Sequence, residues 1–199
     1  DVCDRGNVNK SIDQALDNFY TIDVLINNVG DIIVGGILQL TEEQWDYLVN
    51  VNLKSLYYTC QKIVPIFIKQ QKGNIINISS TFALQGMGGV IGYTTTKTAV
   101  IGFTRALAGE LAKENIRVNC ISPGVVMTSL SSRVAVDKKT FHKLMERNLI
   151  GDPVEIANVI CFLASDNSKW ITGANIPVDG GFGRIYSFDD FCFKEKSLP

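Results

Sequence analysis

Two residue types that together suit proton transfer, a tyrosine and a lysine, stand four positions apart in the segment IGYTTTKTAV, residues 91–100. In a helix, residues at this spacing lie on one face, so the Tyr93 phenol and the Lys97 ammonium can reach the same point. A neighbouring positive charge lowers the pKa of a phenol, which would make Tyr93 a better proton donor and acceptor. One such pair also arises by chance, so its meaning depends on the residues that accompany it.

The composition restricts the class of protein and of partner. A chain of 199 residues with 46% hydrophobic and 20% charged residues predicts a globular domain with a substantial core. The formal net charge is −1 and no long basic run occurs, so we expect no nucleic-acid partner. Apolar runs such as residues 63–68 are too short to span a bilayer, so we expect no membrane partner.

The cysteines and the single histidine argue against three common kinds of site. Five cysteines, odd in number and without a CxxC spacing, favour buried thiols in a cytoplasmic, reducing compartment over disulfides or a metal centre. A Ser-His-Asp hydrolase would require His142, which stands in a polar stretch typical of a solvated helix face. We therefore predict neither a metal site nor a hydrolase.

Strand and helix signals alternate along the chain, which predicts an α/β fold with a parallel sheet. Short apolar runs predict strands at residues 22–28, 73–80, 116–122 and 174–181. Helices are predicted from Thr41 to about Gln71, over residues 93–113, and after Asp152 to about Ala164. No linker or repeat interrupts the pattern, so we predict one domain over residues 1–199, with residues 182–199 as a C-terminal tail.

Polar residues and turn formers cluster where the predicted strands end. Ligands of open parallel sheets bind beyond the carboxyl ends of the strands, so residues at those ends are candidates for a site. The candidates are Asn27, Asn28, Gly30, Ser79, Ser80, Pro123, Gly124 and Thr128. Each alone could belong to a simple turn, but together with Tyr93 and Lys97 they predict a ligand site at this edge.

Five motifs in order give the chain a resemblance to the short-chain dehydrogenase/reductase family. They are NNVG (27–30), VNVNLKS (49–55), NISS (77–80) followed by Tyr93 and Lys97, SPGVVMT (122–128) and VDGG (178–181). The resemblance extends from residue 1 to about residue 183. It implies a Rossmann-type, doubly wound parallel sheet and an NAD(P)-dependent oxidoreductase.

The resemblance also implies four catalytic residues: Asn52, Ser80, Tyr93 and Lys97. Tyr93 would act as general acid and base, with a pKa lowered toward neutrality by Lys97 and by the charge of the cofactor. Lys97 would also hold the nicotinamide ribose. Ser80, selected over Ser79 by the family spacing, would stabilise the substrate oxygen. Asn52 would hold a water that links Lys97 to solvent.

The cofactor implied by the resemblance is NAD or NADP, bound by residues spread along the chain. Asp1 and Val2 would line the adenine, and Asn28 would lie against the adenosine ribose. Val126 would contact the nicotinamide carboxamide through its backbone, and Thr128 the amide or the pyrophosphate. For these residues a purely structural role is the open alternative. Tyr93 and Lys97 complete the predicted cofactor set.

By the same resemblance, the chain lacks the first two strands of the family fold and the Gly-rich turn that receives the pyrophosphate. We therefore expect a fragment of a longer enzyme, the alternative being a truncated protein that binds no cofactor. The residue that separates NAD from NADP would lie in the absent second strand, so the resemblance does not decide between the two cofactors.

The predicted function is the interconversion of a ketone and a secondary alcohol by hydride transfer. The expected pocket segments, residues 81–92, 129–149 and 182–193, are mostly apolar, which favours a small-molecule carbonyl or alcohol without a strongly anionic group. One alternative is a 3-oxoacyl-carrier-protein reductase, although residues 69–73 and 111–115 offer lysines where that group uses arginines. The other is a non-catalytic binding protein with the same fold.

The predicted long helix also indicates self-association. It carries more apolar residues than packing one face on a sheet requires. These residues are Trp45, Leu48, Val51, Leu53, Leu56 and Tyr57. Members of the family pair this helix and the Tyr93 helix with their copies across two-fold axes, so we expect a homodimer or homotetramer.

Overall fold

The computed structural model describes residues 1–133 and 149–182, and it contains a parallel sheet with helices on both faces. The helices are α1 (Arg5–Phe19), α2 (Glu42–Val49), α3 (Ser55–Gln70), α4 (Phe82–Gln85), α5 (Ile91–Leu111), α6 (Ser129–Arg133) and α7 (Pro153–Ala164). The strands are β1 (Val24–Asn27), β2 (Gly73–Ile78), β3 (Ile116–Pro123), β4 (Val125–Val126), β5 (Ile150–Gly151) and β6 (Asn175–Val178). A π-helix (Asn50–Lys54) joins α2 to α3, and short 3₁₀ turns (Ala112–Glu114 and Asp166–Ser168) follow α5 and α7.

The main sheet has the strand order β1-β2-β3-β6, and every neighbouring pair is parallel. Strand β2 is buried along its whole length, as expected for a central strand covered on both faces. The register places Asn27 beside Asn77, and Asn77 beside Cys120. The predicted α/β fold with a parallel sheet is confirmed, and β4 and β5 form a separate two-stranded parallel pair.

Alternate residues of β2 belong to two separate hydrophobic cores. Ile75 belongs to the cluster that includes residues of α3 and α5, among them Ile63, Phe67 and Val100. Ile76 and Ile78 point to the opposite face and belong to the cluster with residues of α7. Because side chains alternate across a strand, β2 contributes isoleucines to both cores. Helices on both faces make the sheet doubly wound, as predicted.

The predicted helix from Thr41 to Gln71 is present, but it is interrupted by the π-helix. At its start, the Thr41 hydroxyl accepts a hydrogen bond from the Gln44 N–H (3.2 Å), and the Gln44 side chain accepts one from the Thr41 N–H (3.1 Å). This is the predicted capping box. The π-helix contains the buried Asn52, and single π-turns of this kind are frequent at functional sites. Nothing in the hydrophobic pattern indicates this turn.

Other predicted boundaries agree with the structure to within a few residues. Helix α7 begins after Asp152, whose carboxylate accepts from the Val154 N–H (2.9 Å), and Glu155 completes a capping box. Helix α1 is not assigned by the sequence analysis. It buries only Val8, so the helical periodicity of apolar residues that would reveal it is weak.

Some sequence predictions fall on residues 134–148 and 183–199, outside the described ranges. They concern His142, much of the expected pocket segment 129–149, and nearly all of the segment 182–193 and of the predicted tail. Of the described cysteines, Cys60 and Cys120 are buried free thiols, as predicted, whereas Cys161 is exposed. Within residues 1–133 and 149–182, no helix has the length and hydrophobicity needed to cross a membrane.

Gly73 marks the closest approach between the sheet and α3, and it provides a test of this packing. A Cβ at position 73 would overlap the Phe67 ring, which is fully buried beneath the first residue of β2. We expect Gly73→Ala to lower the free energy of unfolding by about 3 kcal/mol, because neither the strand nor the ring can move without disturbing the core. Urea unfolding followed by circular dichroism measures this change.

Gly109→Ala is the matched control. Gly109 lies on the exposed side of α5 and its added Cβ would meet no atom within 4 Å, so alanine should stabilise the helix by about 0.5–1 kcal/mol. Equal stabilities for the two variants would contradict the packing described here.

Candidate active site

The carboxyl ends of β1, β2 and β3 open into a cleft of about 480 Å³. Most of the predicted site residues line it: Asn28, Ser80, Tyr93, Lys97, Val126 and Thr128. Asn52, Asp1 and Val2 are outside this lining. The site therefore lies at the edge of the sheet where the sequence predicts it, since the carboxyl ends of parallel strands meet there.

Lys97 is buried, with 4% of its surface exposed, on the second turn of α5. Its ammonium donates a hydrogen bond to the Ile78 carbonyl at the end of β2 (2.9 Å). Within the described ranges no carboxylate forms an ion pair with it. Burial lowers the pKa of this amine to about 8, and the electrostatic influence of Cys120 opposes the shift.

Gly30 leaves the space that the Lys97 ammonium occupies. A Cβ at position 30 would lie 2.9 Å from Lys97 Nζ and 3.0 Å from Asn52 Oδ1. Any side chain at position 30 would displace the ammonium or the carboxamide. The glycine of the NNVG motif is therefore required by the lysine packed beneath it, and this requirement joins two motifs that stand far apart in the sequence.

Tyr93 lies one turn before Lys97 and is 8% exposed. Its ring centroid is 5.8 Å from Lys97 Nζ, and the Phe82 ring packs edge-on against it at 6.3 Å. Burial raises the pKa of the Tyr93 phenol, while a hydrogen bond with Ser80 opposes the rise. The predicted lowering includes the charge of a bound cofactor and stays a prediction; in the protein alone burial dominates, because the side chains around the phenol remove water.

The two adjacent serines have different partners. Ser79 donates its hydroxyl hydrogen bond to the Lys97 carbonyl (2.7 Å), on the side of α5. Ser80 accepts from the Phe82 N–H (3.2 Å) and hydrogen-bonds with the Tyr93 phenol. Both serines line the cleft, and Ser80 is the one whose hydroxyl lies beside the Tyr93 phenol, in keeping with the predicted selection of Ser80 over Ser79.

Asn52 holds the loop that covers Lys97. Its Oδ1 accepts from the Asp31 N–H (2.8 Å), and its Nδ2 donates to the Asp31 carbonyl (2.9 Å) and to the Thr96 hydroxyl (3.1 Å). The π-helix presents this carboxamide to the loop after β1 and to α5 at once. The predicted role of Asn52 in holding a water stays a prediction.

The remaining predicted cofactor residues occupy separate positions. Asn28 is exposed directly after β1, Val126 belongs to β4, and the Thr128 hydroxyl accepts from the Ser131 N–H (3.3 Å) at the start of α6. Asp1 and Val2 precede α1, and the Asp1 carboxylate accepts from the Cys3 N–H (2.8 Å). Their roles toward a cofactor stay predictions.

Helix α7 provides one wall of the cleft, and this wall is not predicted from the sequence. Pro153, Ile156, Ala157 and Ile160 line it at helical spacing and face the sheet edge. Apolar residues at such spacing indicate only packing against a core, so no signal in the sequence distinguishes this face from an ordinary helix face. The result is a mainly apolar cleft with an amine, a phenol and a hydroxyl together at its base.

Comparison with known proteins agrees with this arrangement. A family model described as enoyl-(acyl carrier protein) reductase matches residues 1–183. The 3-oxoacyl-acyl-carrier-protein reductase FabG of Thermotoga maritima is 38% identical over 181 residues, which are 90% of this chain and 74% of that protein. A crystal structure described as a short-chain dehydrogenase/reductase from Burkholderia xenovorans has a TM-score of 0.86 at 32% identity, covering 94% of this chain and 74% of the other. The structure of ElxO with NADP bound has a TM-score of 0.83 at 30% identity, covering 92% and 75%.

The burial of Lys97 predicts an unusual dependence of stability on pH. The pKa of Lys97 is lower in the folded protein than in the unfolded chain, so the unfolded chain binds the proton more tightly. Below about pH 8 the folded protein carries the cost of a buried ammonium, and this cost disappears as the pH rises through the window up to about 10.5. We expect Lys97→Met to have its largest stability advantage at pH 7, and to lose about 3 kcal/mol of that advantage by pH 10.5.

Urea unfolding of wild type and variant at a series of pH values measures this difference. Lys113→Met is the control, since Lys113 is exposed and solvent surrounds its ammonium in the folded and unfolded states. A Lys97→Met difference that is constant with pH would contradict the burial of a titrating amine.

Proposed function

This chain belongs to the short-chain dehydrogenase/reductase family of oxidoreductases, and we propose that it interconverts a ketone and a secondary alcohol with NAD or NADP as cofactor. The observation that carries the proposal is the meeting of Ser80, Tyr93 and Lys97 at the base of one apolar cleft. Three polar groups brought together from β2 and α5 are not needed for packing there. Their burial has a cost that favours a catalytic role over a non-catalytic binding protein.

The residues of the cleft fit a nicotinamide nucleotide. The absence of a Cβ at Gly30 leaves the Lys97 amine accessible from the cleft, which it lines. Lys97 and Tyr93 would hold the ribose hydroxyls on the nicotinamide side, and Val126 and Thr128 the amide and the pyrophosphate. Asn28, with Asp1 and Val2, would serve the adenosine half. When bound, this cofactor supplies or accepts the hydride.

The proton step belongs to Tyr93. In the direction of reduction its phenol gives its proton to the substrate oxygen, and burial keeps that proton on the phenol near neutral pH. Ser80 donates its hydroxyl to the same oxygen and stabilises the charge that develops there. Phe82 restricts the Tyr93 ring through the edge-on contact, and Lys97 borders the phenol with no acid among the described residues to neutralise it.

The lining of the cleft favours an uncharged substrate. Ile32, Phe82, Leu130 and Ile156 surround the polar base, and the described lining includes no carboxylate and no cation besides Lys97. A ketone or secondary alcohol with apolar substituents meets these walls without leaving a charge unpaired. A second candidate is reduction of a 3-oxoacyl chain on a carrier protein, supported by the likeness to the FabG protein of Thermotoga maritima. Its acyl chain would suit the same apolar walls.

Substitution at Tyr93 tests the proposed function. We expect Tyr93→Phe to lower kcat for ketone reduction by about a thousandfold, since the variant lacks only the hydroxyl that transfers the proton. Oxidation of NADPH and of NADH is followed with a panel of aliphatic ketones, aryl ketones and 3-oxoacyl thioesters. Tyr20→Phe is the control, because Tyr20 is 90% exposed and distant from the cleft lining. Equal activity of both variants, or no oxidation with any substrate, would overturn the proposal.

We further propose that the chain forms a homodimer or homotetramer through the surface of α2 and α3. Leu48, Val51 and Leu56 are buried within the chain, but Trp45 and Tyr57 stay partly exposed on the same helical segment. These two large apolar side chains are exposed on the single chain and would be covered in an assembly.

Light scattering coupled to size exclusion tests the assembly. We expect a mass two or four times the chain mass of 21.9 kDa, falling to a lower multiple in Trp45→Arg/Tyr57→Arg. Trp170→Arg, at a site outside α2 and α3, should leave the mass unchanged. A wild-type monomer at micromolar concentration would refute the assembly.

A further inference from the structure

Three consecutive residues at the end of β2 contact the first two turns of α5. The Ile78 carbonyl accepts from Lys97 Nζ (2.9 Å), the Ser79 hydroxyl donates to the Lys97 carbonyl (2.7 Å), and Ser80 hydrogen-bonds with Tyr93. Both ends of Lys97, its side chain and its backbone carbonyl, are therefore held by two consecutive residues, the last of β2 and the one that follows it. Of the three, Ser79 bonds to the backbone of Lys97 rather than to its ammonium or to the Tyr93 phenol.

The hydroxyl bond of Ser79 is not required to complete either element. The Lys97 carbonyl stands inside α5, where the N–H four residues later is its regular partner. The Ser79 N–H already donates to the Ile121 carbonyl of β3 (2.7 Å). Ser79 is 3% exposed, so its hydroxyl adds a buried link between the sheet and the helix. Because the Ser79 hydroxyl completes neither the sheet nor the helix, we assign it to the position of α5 relative to the sheet.

A second link fixes the same helix farther along. Asn77, two residues before Ser79 and on the same face of β2, donates to the Thr104 hydroxyl (2.9 Å). Thr104 follows Lys97 by seven residues, which is about 10 Å along a helix axis. Two bonds at this separation set both the height and the rotation of α5 over the strand. Of the two bonds, the Ser79 bond lies nearer to Tyr93 and the Lys97 ammonium.

We propose that Ser79 is a positioning residue of the proton-transfer site, holding α5 so that Tyr93 stays against Ser80 and Lys97 stays against Ile78. This inference rests on the proposed function, since it concerns the reaction of Tyr93. Reacting groups tolerate little displacement, and a shift of about 1 Å can reduce a rate by about a hundredfold. Ser79 acts through Tyr93 and Lys97, since its hydroxyl is bonded to the Lys97 carbonyl on the side of α5.

A near-isosteric series at position 79 measures this role. We expect kcat to fall about tenfold in Ser79→Cys, which keeps a weak donor, and about a hundredfold in Ser79→Ala, which has none. The KM for the ketone should stay within about twofold of wild type, because the apolar walls of the cleft are untouched. Thermal unfolding of each variant is recorded alongside.

Ser168→Ala is the matched control for lost stability. Ser168 is also a buried serine that donates to a backbone carbonyl, that of Leu163 (2.8 Å), but it lies beyond the opposite ends of the strands, where Asn74 of β2 contacts the same carbonyl. This variant should lose as much stability as Ser79→Ala while keeping kcat within about twofold of wild type. Equal loss of kcat in the two variants would overturn the proposal. So would a Ser79→Ala variant with wild-type kcat.

Hydrogen exchange of the protein alone separates this inference from the proposed function. In Ser79→Ala, and to a smaller extent in Ser79→Cys, peptides from residues 91–104 should exchange at least tenfold faster than in wild type, whereas Ser168→Ala leaves them unchanged. If wild type reduces no ketone, the proposed function fails and exchange alone decides the role of Ser79. Unchanged or uniformly faster exchange would refute it. If Ser79→Ala does not fold, Ser79→Cys and wild type decide by the same measurements.

Discussion

The burial of a lysine amine, with no carboxylate partner among residues 1–133 and 149–182, is the constraint around which this site is built. A buried ammonium is strongly unfavourable unless nearby dipoles replace the water it has left. Here the Ile78 carbonyl supplies the hydrogen bond, and the missing side chain of Gly30 supplies the space. Asn52 then ties the loop that carries Gly30 to α5 through Thr96. The packing and hydrogen bonding around Lys97 thus connect four segments of the chain: the end of β2, the loop that carries Gly30, the π-helix and α5.

Hydrogen bonds between distant segments also position the polar groups in the interior of the sheet. A continuous series of hydrogen bonds runs from Thr59 through Asn27 and Asn77 to Thr104, with donor–acceptor distances of 2.7, 2.8 and 2.9 Å. It joins α3, two neighbouring strands and α5 beneath the site. Buried amides are costly when unpaired, so each member specifies the position of the next. The hydrogen bonds of polar residues in β2 thus help to fix the position of the helix that carries Tyr93 and Lys97.

Whether a feature of the fold or of the site can be predicted from the sequence depends on its physical origin. Isoleucine-rich strands and the capping boxes at Thr41 and Asp152 depend on local chemistry, and their positions are predicted correctly. The π-turn at Asn52 and the apolar wall of α7 depend on contacts with residues far away in the chain, and no local pattern reports them. The spacing that selects Ser80 over Ser79 agrees with the geometry because the Ser79 hydroxyl bonds to the backbone of α5, whereas the Ser80 hydroxyl lies beside the Tyr93 phenol. The charge state of Tyr93 is not predictable in this way, since it depends on how much water the fold removes.

That charge state is coupled to the charge on Lys97. Burial raises the pKa of the Tyr93 phenol and lowers that of the Lys97 amine to about 8, so it favours the uncharged form of each group. Near neutral pH the phenol therefore keeps its proton, as a group that must donate to a carbonyl oxygen requires. Under the proposed function, acceptance of a proton from an alcohol needs the phenolate, which burial disfavours and which the Lys97 ammonium, predominant below about pH 8, would stabilise. Burial and the Lys97 ammonium therefore oppose each other at the phenol, so its charge state depends on whether Lys97 holds its proton.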